Sequence, residues 1–295
     1  MKKLIVIIGP TASGKTDYAI SLARKVGGEI ISADSRQIYA GMNIGTAKPH
    51  EAFAQEAHEV LQPDIVSGIP HFLFNVSTPG YPWTLPQWQA GAKVVIEDIL
   101  ERGKQPIIVG GTMLYVDSVV KNFAIPEVQP NQALRDSLEQ EDVAVLYSRL
   151  MQIDPAAQEF IEPHHKQRII RALEVIEKTG KPFSASRLTH ASPYAFEMIG
   201  LFPGWDVMKE RISVRAYMML DEGLREETTQ LIQTYGTDLP LLETMNYKQM
   251  RELLNGETAE SDAIEETIRV NMKYAKRQMA WWKNREEITW LDKLS

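Results

Sequence analysis

Two spacings of apolar residues alternate along this chain. Residues 4–8, "LIVII", form an unbroken β-branched run ending at Gly9, the pattern of a strand buried on both faces of a parallel sheet. Residues 14–25 then show helical spacing through Tyr18, Leu22 and Val26, and stop at Gly27-Gly28. Further strands are predicted over 29–33 in "EIISADS", over 107–109 in "KQPIIVGG" and over 196–202 in "FEMIGLF", with a weaker one over 71–76 in "HFLFNV". Helical patterns at 86–102 and 206–234 lie between them. Strands alternating with helices predict an α/β fold built on a parallel, doubly wound sheet.

The alternation breaks from about Asn122 to His190. This stretch has no strand pattern and three or four helical segments, punctuated by Pro126, Pro130, Pro155 and Pro163. Because a strand pattern follows it, the expected arrangement is an all-helical domain over 122–190, inserted into a core domain made of 1–121 and 191–295. Residues 241–285 are helical again and end in a long basic helix with Trp281 and Trp282.

Composition narrows the class. The 295 residues are 44% hydrophobic and 24% charged, as in a globular protein with one large α/β domain or two modest ones. The absence of cysteine excludes a disulfide scaffold and a thiolate zinc site. The apolar run at 4–8 is too short for a signal-peptide core, and none approaches the roughly 18 to 20 residues that cross a bilayer. The expected location is cytoplasmic, with no membrane partner, and the protein is expected to be a monomer. A net charge of -7 argues weakly against wholesale nucleic-acid binding. Two segments run against that average: "HHKQRIIR" (164–171), and 269–285 with six lysines and arginines and no acid.

The chemistry starts in the first loop. Gly9-Pro10-Thr11-Ala12-Ser13-Gly14-Lys15-Thr16 fits the phosphate-loop pattern G-x-x-x-x-G-K-[ST], with a strand before it and a helix after. In such a loop, backbone N–H groups converge on an anion at a helix N-terminus, the lysine reaches the distal phosphate, and the hydroxyl of Thr16 can ligate Mg²⁺. Asp34 closes the next predicted strand, so its carboxylate is expected in the same crevice. It is either a cap or a group behind the metal, or a general base aimed at a substrate. The strand at 107–109 ends in Gly-Gly-Thr112 where a phosphate-loop hydrolase usually has a metal-holding aspartate. Thr112 is either a helix cap or a hydrogen-bonding partner for a substrate amine.

Seven stretches in order carry a resemblance: "GPTASGKT" (9–16), "SADSRQIY" (32–39), "MNIGTAKP" (42–49), "VGGTMLY" (109–115), "QRIIRALEV" (167–175), "ERISVRAYMMLDEGL" (210–224) and "YAKRQ" (274–278). Together they closely resemble the tRNA dimethylallyltransferase, or tRNA isopentenyltransferase, family. The resemblance implies that dimethylallyl diphosphate and the anticodon loop of tRNA are the partners. It implies that residues Gly9 to Thr16 hold the diphosphate with Mg²⁺ at Thr16, and that Lys15 and Arg211 stabilise the leaving group, with Arg215 a turn further on. Asp34 would take a proton from the exocyclic amine of the adenine 3′ to the anticodon, and Thr112 would hydrogen-bond that amine or its base. The tRNA contacts implied are Asp34, Ser35, Arg36, Gln37, Thr112, Arg135, Gln167, Arg168, Ile169, Ile170 and Arg171. The chain departs from the family pattern at Asn246, where glycine is usual, at Asn271-Met272, where Thr-Arg is usual, and at "AWWK" (280–283). Two other classes reuse parts of this set: a phosphate-loop kinase for a nucleoside or other small acceptor, and a non-catalytic RNA-binding module.

Overall fold

The computed structural model describes residues 2–187 and 190–291. The chain folds into two compact units, a sheet unit (1–84, 88–116 and 193–295) and a helical unit (85–87 and 117–192).

The sheet unit has seven strands: β1 (Lys2–Ile8), β2 (Gly28–Ser32), β3 (Asp64–Val66), β4 (Ile69–Phe72), β5 (Gln105–Gly110), β6 (Tyr194–Leu201) and β7 (Ile288–Leu291). Their order across the sheet is β3-β4-β2-β5-β1-β6-β7. All pairings are parallel except the β3–β4 hairpin, which turns through Ser67 and Gly68, both at positive φ. The run at 4–8 is buried throughout at the centre of the sheet, where a strand covered on both faces must be apolar. Helix α1 (Lys15–Val26) packs Ala19, Ile20 and Ala23 against Ile5, Ile7, Ile30 and Ile107, and Gly27 closes it at φ 65°. Burying each of these isoleucine side chains stabilises by about 1.5 to 3 kcal/mol before entropy is counted.

Three expectations shift. The strand expected at 71–76 ends at Phe72, because Leu73 and Asn75 take φ 64° and 50°, which no pleated ladder accommodates. The helical pattern at 206–234 is two helices, α7 (Trp205–Asp221) and α8 (Leu224–Tyr235), separated at Gly223 with φ 104°. The pattern at 241–285 resolves into a 3₁₀ turn, α9 (Tyr247–Leu254) and α10 (Glu260–Trp282). Strands β3 and β7 are three and four residues long, too short for periodicity to reveal.

Helix α2 (Leu85–Glu101) buries Trp88, Ile96 and Ile99, and α3 (Met113–Val120) follows β5. The helical unit holds α4 (Gln132–Glu139), α5 (Val143–Ile153) and α6 (Lys166–Thr179), with two 3₁₀ segments and no strand among its described residues. Asn131 caps α4 and Asp142 caps α5 through their side chains. Leu138, Leu146, Leu150, Ile161, Ile169 and Leu173 form its separate core.

Candidate active site

The loop between β1 and α1 is held by its own backbone. A Cβ on Gly9 would stand 2.5 Å from the Leu201 carbonyl oxygen, so only glycine fits beside β6. Ala12 and Gly14 take positive φ, and Gly14 starts α1. Pro10 O accepts from Ser13 N (3.2 Å) and from Lys15 Nζ (2.7 Å), so the lysine folds back over the loop. Burial lowers the Lys15 pKa to about 7, the neighbouring Arg215 guanidinium pushes the same way, and Asp34 opposes them. An ammonium held in this way gains most from a bound anion.

Sheet order brings the remaining chemistry beside this loop. β2, β5 and β1 are adjacent and parallel, so residues 34–37, 110–112 and 9–16 leave the sheet side by side at its carboxyl edge. Gly110 is obligatory there, since its Cβ would lie 2.2 Å from Ala33 O. Thr112 N donates to Ala33 O (3.1 Å), and Thr112 Oγ1 accepts from Ser35 N (3.0 Å), bracketing Asp34 on both sides. Asp34 Oδ1 accepts from Arg36 N at 2.9 Å, which sets the direction of the carboxylate. Tyr274 on α10 lies against Thr112, and burial raises its phenol to about 12.

These elements enclose a cavity of about 720 Å³ lined by Thr11, Lys15, Thr16, Asp34, Arg215 and Arg277, with Ser35, Arg36 and Gln37 also on its wall. Several expected residues stand elsewhere. Ser13 is fully buried, its Oγ has no hydrogen-bond partner, and a Cβ on Gly9 would lie 2.8 Å from it, so its hydroxyl faces inward. Gly9, Pro10 and Ser13 therefore shape the loop from behind the wall. Arg211 is exposed, donates to Ala12 O (3.3 Å) and lines an adjoining groove of about 640 Å³, so the α7 arginine on the cavity itself is Arg215. The helical spacing of four residues puts both on one face of α7, and only packing decides which reaches inward.

In the helical unit, Ile169 and Ile170, expected among the tRNA contacts, are core residues with buried side chains. Gln167 and Arg168 on the same turn are exposed. Arg135 and Arg171 are ion-paired to the buried Glu174, at 2.8 and 2.5 Å. Burial pushes the Glu174 carboxyl up, but Arg135, the Asn131 N–H and Arg171 outweigh it and hold it at about 2. Among the described residues, Glu162, His164 and His165 are the cluster with metal-ligand spacing, and they belong to this unit. Thr16 offers an exposed hydroxyl on the first turn of α1. A hard oxygen donor of that kind fits Mg²⁺, which takes its other ligands from phosphate oxygens and water.

Sequence reasoning passed over several residues that build the site. Lys48 is buried, and its Nζ donates to Tyr39 O (3.0 Å), Asn43 Oδ1 (3.1 Å) and Asn75 Oδ1 (2.5 Å). Glu227 accepts from the N–H groups of Asn43, Ile44 and Gly45 (2.9, 2.8 and 3.0 Å) and from the Tyr247 hydroxyl (2.7 Å). Lys48 thus fastens "MNIGTAKP" to Tyr39 and Asn75, and Glu227 ties it to α8 and α9. Spacing carries no signal for Glu227, because its loop partners lie 182 to 184 residues away.

Comparison with known proteins agrees with this geometry. The IPP transferase family model matches residues 37–285, and the isopentenyl transferase model matches residues 2–64. The tRNA dimethylallyltransferase of Gloeothece citriformis (strain PCC 7424) is 42% identical over 289 residues, 98% of this chain and 91% of the relative. The crystal structure of the Bacillus halodurans tRNA isopentenylpyrophosphate transferase is similar at a TM-score of 0.69 and 35% identity, covering 99% of this chain and 90% of that one. A eukaryotic dimethylallyltransferase acting on tRNA matches at a TM-score of 0.78 and 28% identity, covering 99% of this chain and 74% of that one. With the phosphate loop, the carboxylate and the threonine on adjacent strand ends, and likeness along nearly its whole length, the chain belongs to the IPP transferase family, that of the tRNA dimethylallyltransferases.

Proposed function

We propose that the protein transfers a dimethylallyl group from dimethylallyl diphosphate to the exocyclic N6 amine of the adenosine 3′-adjacent to the anticodon of tRNA. The observation that carries this reading is the shared cavity: the Asp34 carboxylate, bracketed by Thr112, opens onto the space that holds Lys15 and Arg215. The curated relatives are named for this transfer, and one solved neighbour is described as acting on tRNA.

In the reaction the adenine nitrogen forms a bond to the allylic carbon as the carbon–oxygen bond to the diphosphate breaks. The electron pair of that bond leaves with the diphosphate, and the amine loses a proton. Lys15, Arg215 and the loop N–H groups face the oxygens where negative charge grows, a stabilisation realised mainly as the bond breaks. Asp34, held by the Arg36 N–H, accepts the proton. Thr112 holds Ser35 and so fixes the carboxylate's approach. Mg²⁺ at Thr16, when bound, neutralises further charge on the diphosphate. The helical unit is read as an inserted domain that supplies Gln167 and Arg168 as tRNA contacts, with exposed Lys273, Lys276 and Arg277 on α10 adding phosphate contacts.

A kinase would use the same loop and carboxylate for ATP and a small acceptor. Incubation with dimethylallyl diphosphate and unmodified tRNA bearing adenine beside the anticodon, followed by nucleoside mass spectrometry, separates the two. Gain of one five-carbon unit is expected. No gain, alongside ATP consumption with a small acceptor, would overturn the reading.

A further inference from the structure

Gln278 lies four residues beyond Tyr274 on α10 and is fully buried. Its Oε1 accepts from Thr11 N at 2.8 Å, and its Nε2 donates to Gly111 O at 2.8 Å. The fit at Gly111 is tight enough that a Cβ there would come within 2.3 Å of Nε2. One end of this amide thus grips the phosphate loop, and the other grips the residue before Thr112. Thr112 in turn holds Ser35, the residue after Asp34.

We infer that Gln278 is a positioning residue for the transfer reaction: it sets the separation between the leaving-group site on the phosphate loop and the Asp34–Thr112 site that receives the amine. The inference rests on the function proposed above. The bridge needs an acceptor at one end and a donor at the other, and a primary amide is the side chain of this length that supplies both. A carboxylate keeps the grip on Thr11 but sets its oxygen against Gly111 O. A methionine of similar reach makes neither bond. The bridge also directs the Thr11 N–H to Gln278, so the diphosphate is cradled by the N–H groups nearer the start of α1.

Because attack and departure occur at one carbon, a small error in this separation acts on the rate more than on binding. A residue with a general folding role would instead lower stability and both affinities together. The test is single-turnover transfer by Gln278→Met and Gln278→Glu, with tRNA affinity by filter binding, affinity for a non-reactive thiolo analogue of dimethylallyl diphosphate, and thermal melting. The expected result is a rate constant down roughly 10- to 100-fold in both variants, with each affinity within about twofold of the wild type. If one variant fails to fold, the other still decides the matter. A folded variant that transfers at the wild-type rate overturns the inference, as does a loss accounted for entirely by weaker donor or tRNA binding. A wild-type protein that does not prenylate tRNA at all overturns the proposed function, and this inference with it.

Discussion

The Asn271 side-chain amide donates to Asn246 Oδ1 at 2.7 Å, joining α10 to the residue that caps α9. Asn246 takes φ 73° and ψ -48°, close to a strained γ-turn, where a glycine would have no steric cost. Its side chain supplies what glycine lacks: Oδ1 caps α9, and Nδ2 donates to Gly45 O at 2.7 Å. Asn271 therefore supports a residue held at positive φ. Asn246→Ala is expected to destabilise the protein by about 2 to 3 kcal/mol, from backbone strain and lost hydrogen bonds. Asn271→Ala should cost about 1 kcal/mol. Chemical denaturation of both single variants and the double variant checks this, with a coupling of at least about 0.5 kcal/mol expected for residues in contact. Strict additivity would mean that the pair does not act together.

Asp34→Asn keeps an oxygen for the Arg36 N–H and removes only the capacity to take a proton. Prenyl transfer is expected to fall by about 10² to 10⁴-fold, with tRNA affinity nearly unchanged. Single-turnover rates and filter binding measure the two effects separately. A rate within a few-fold of the wild type excludes Asp34 as the base.

Donor binding should depend on pH through Lys15. Its pKa in the free protein is about 7, below its ordinary 10.5, and a bound diphosphate restores the charged form. Binding then takes up a proton between pH 7 and about 10, so affinity for a non-reactive donor analogue falls as pH rises through that window. The slope is expected to approach tenfold per pH unit. Titration calorimetry in two buffers of different ionisation enthalpy reads the proton uptake directly. Equal apparent enthalpies at pH 8 would remove the argument.

Glu174 ties α4 to α6 through Arg135 and Arg171. Glu174→Ala leaves both arginines without their carboxylate and is expected to cost about 2 to 3 kcal/mol. That is less than the roughly 3 to 5 of a fully buried pair, because each arginine side chain keeps 32% exposure. The folded-state pKa is depressed, so the contribution is complete above about pH 4.5 and is lost as pH falls towards 2. Thermal melts at pH 7 and pH 3 should show the variant's deficit shrinking at the lower pH. Arg135→Ala should lose stability as well as tRNA affinity, since the residue has a partner inside the protein.

The sequence by itself determined the phosphate loop, the alternation of strand and helix, and the positions of Asp34 and Thr112 at strand ends. Each is a local matter: a glycine at a forced turn, a period of two or 3.6, a polar residue where an apolar run stops. The tertiary structure alone decided which of these residues share a cavity. Two arginines one turn apart on α7 look equivalent by spacing, yet packing sends Arg215 to the cavity and leaves Arg211 on a neighbouring groove. In "QRIIR" the same charge pattern covers exposed Arg168, buried Ile169 and Ile170, and an Arg171 engaged by Glu174. Gln278 closes the "YAKRQ" stretch, yet its role was not legible there, because its partners at Thr11 and Gly111 are 267 and 167 residues away. Hydrogen bonds across such distances exist only once the sheet has set β2, β5 and β1 side by side, and that order is the physical origin of the site.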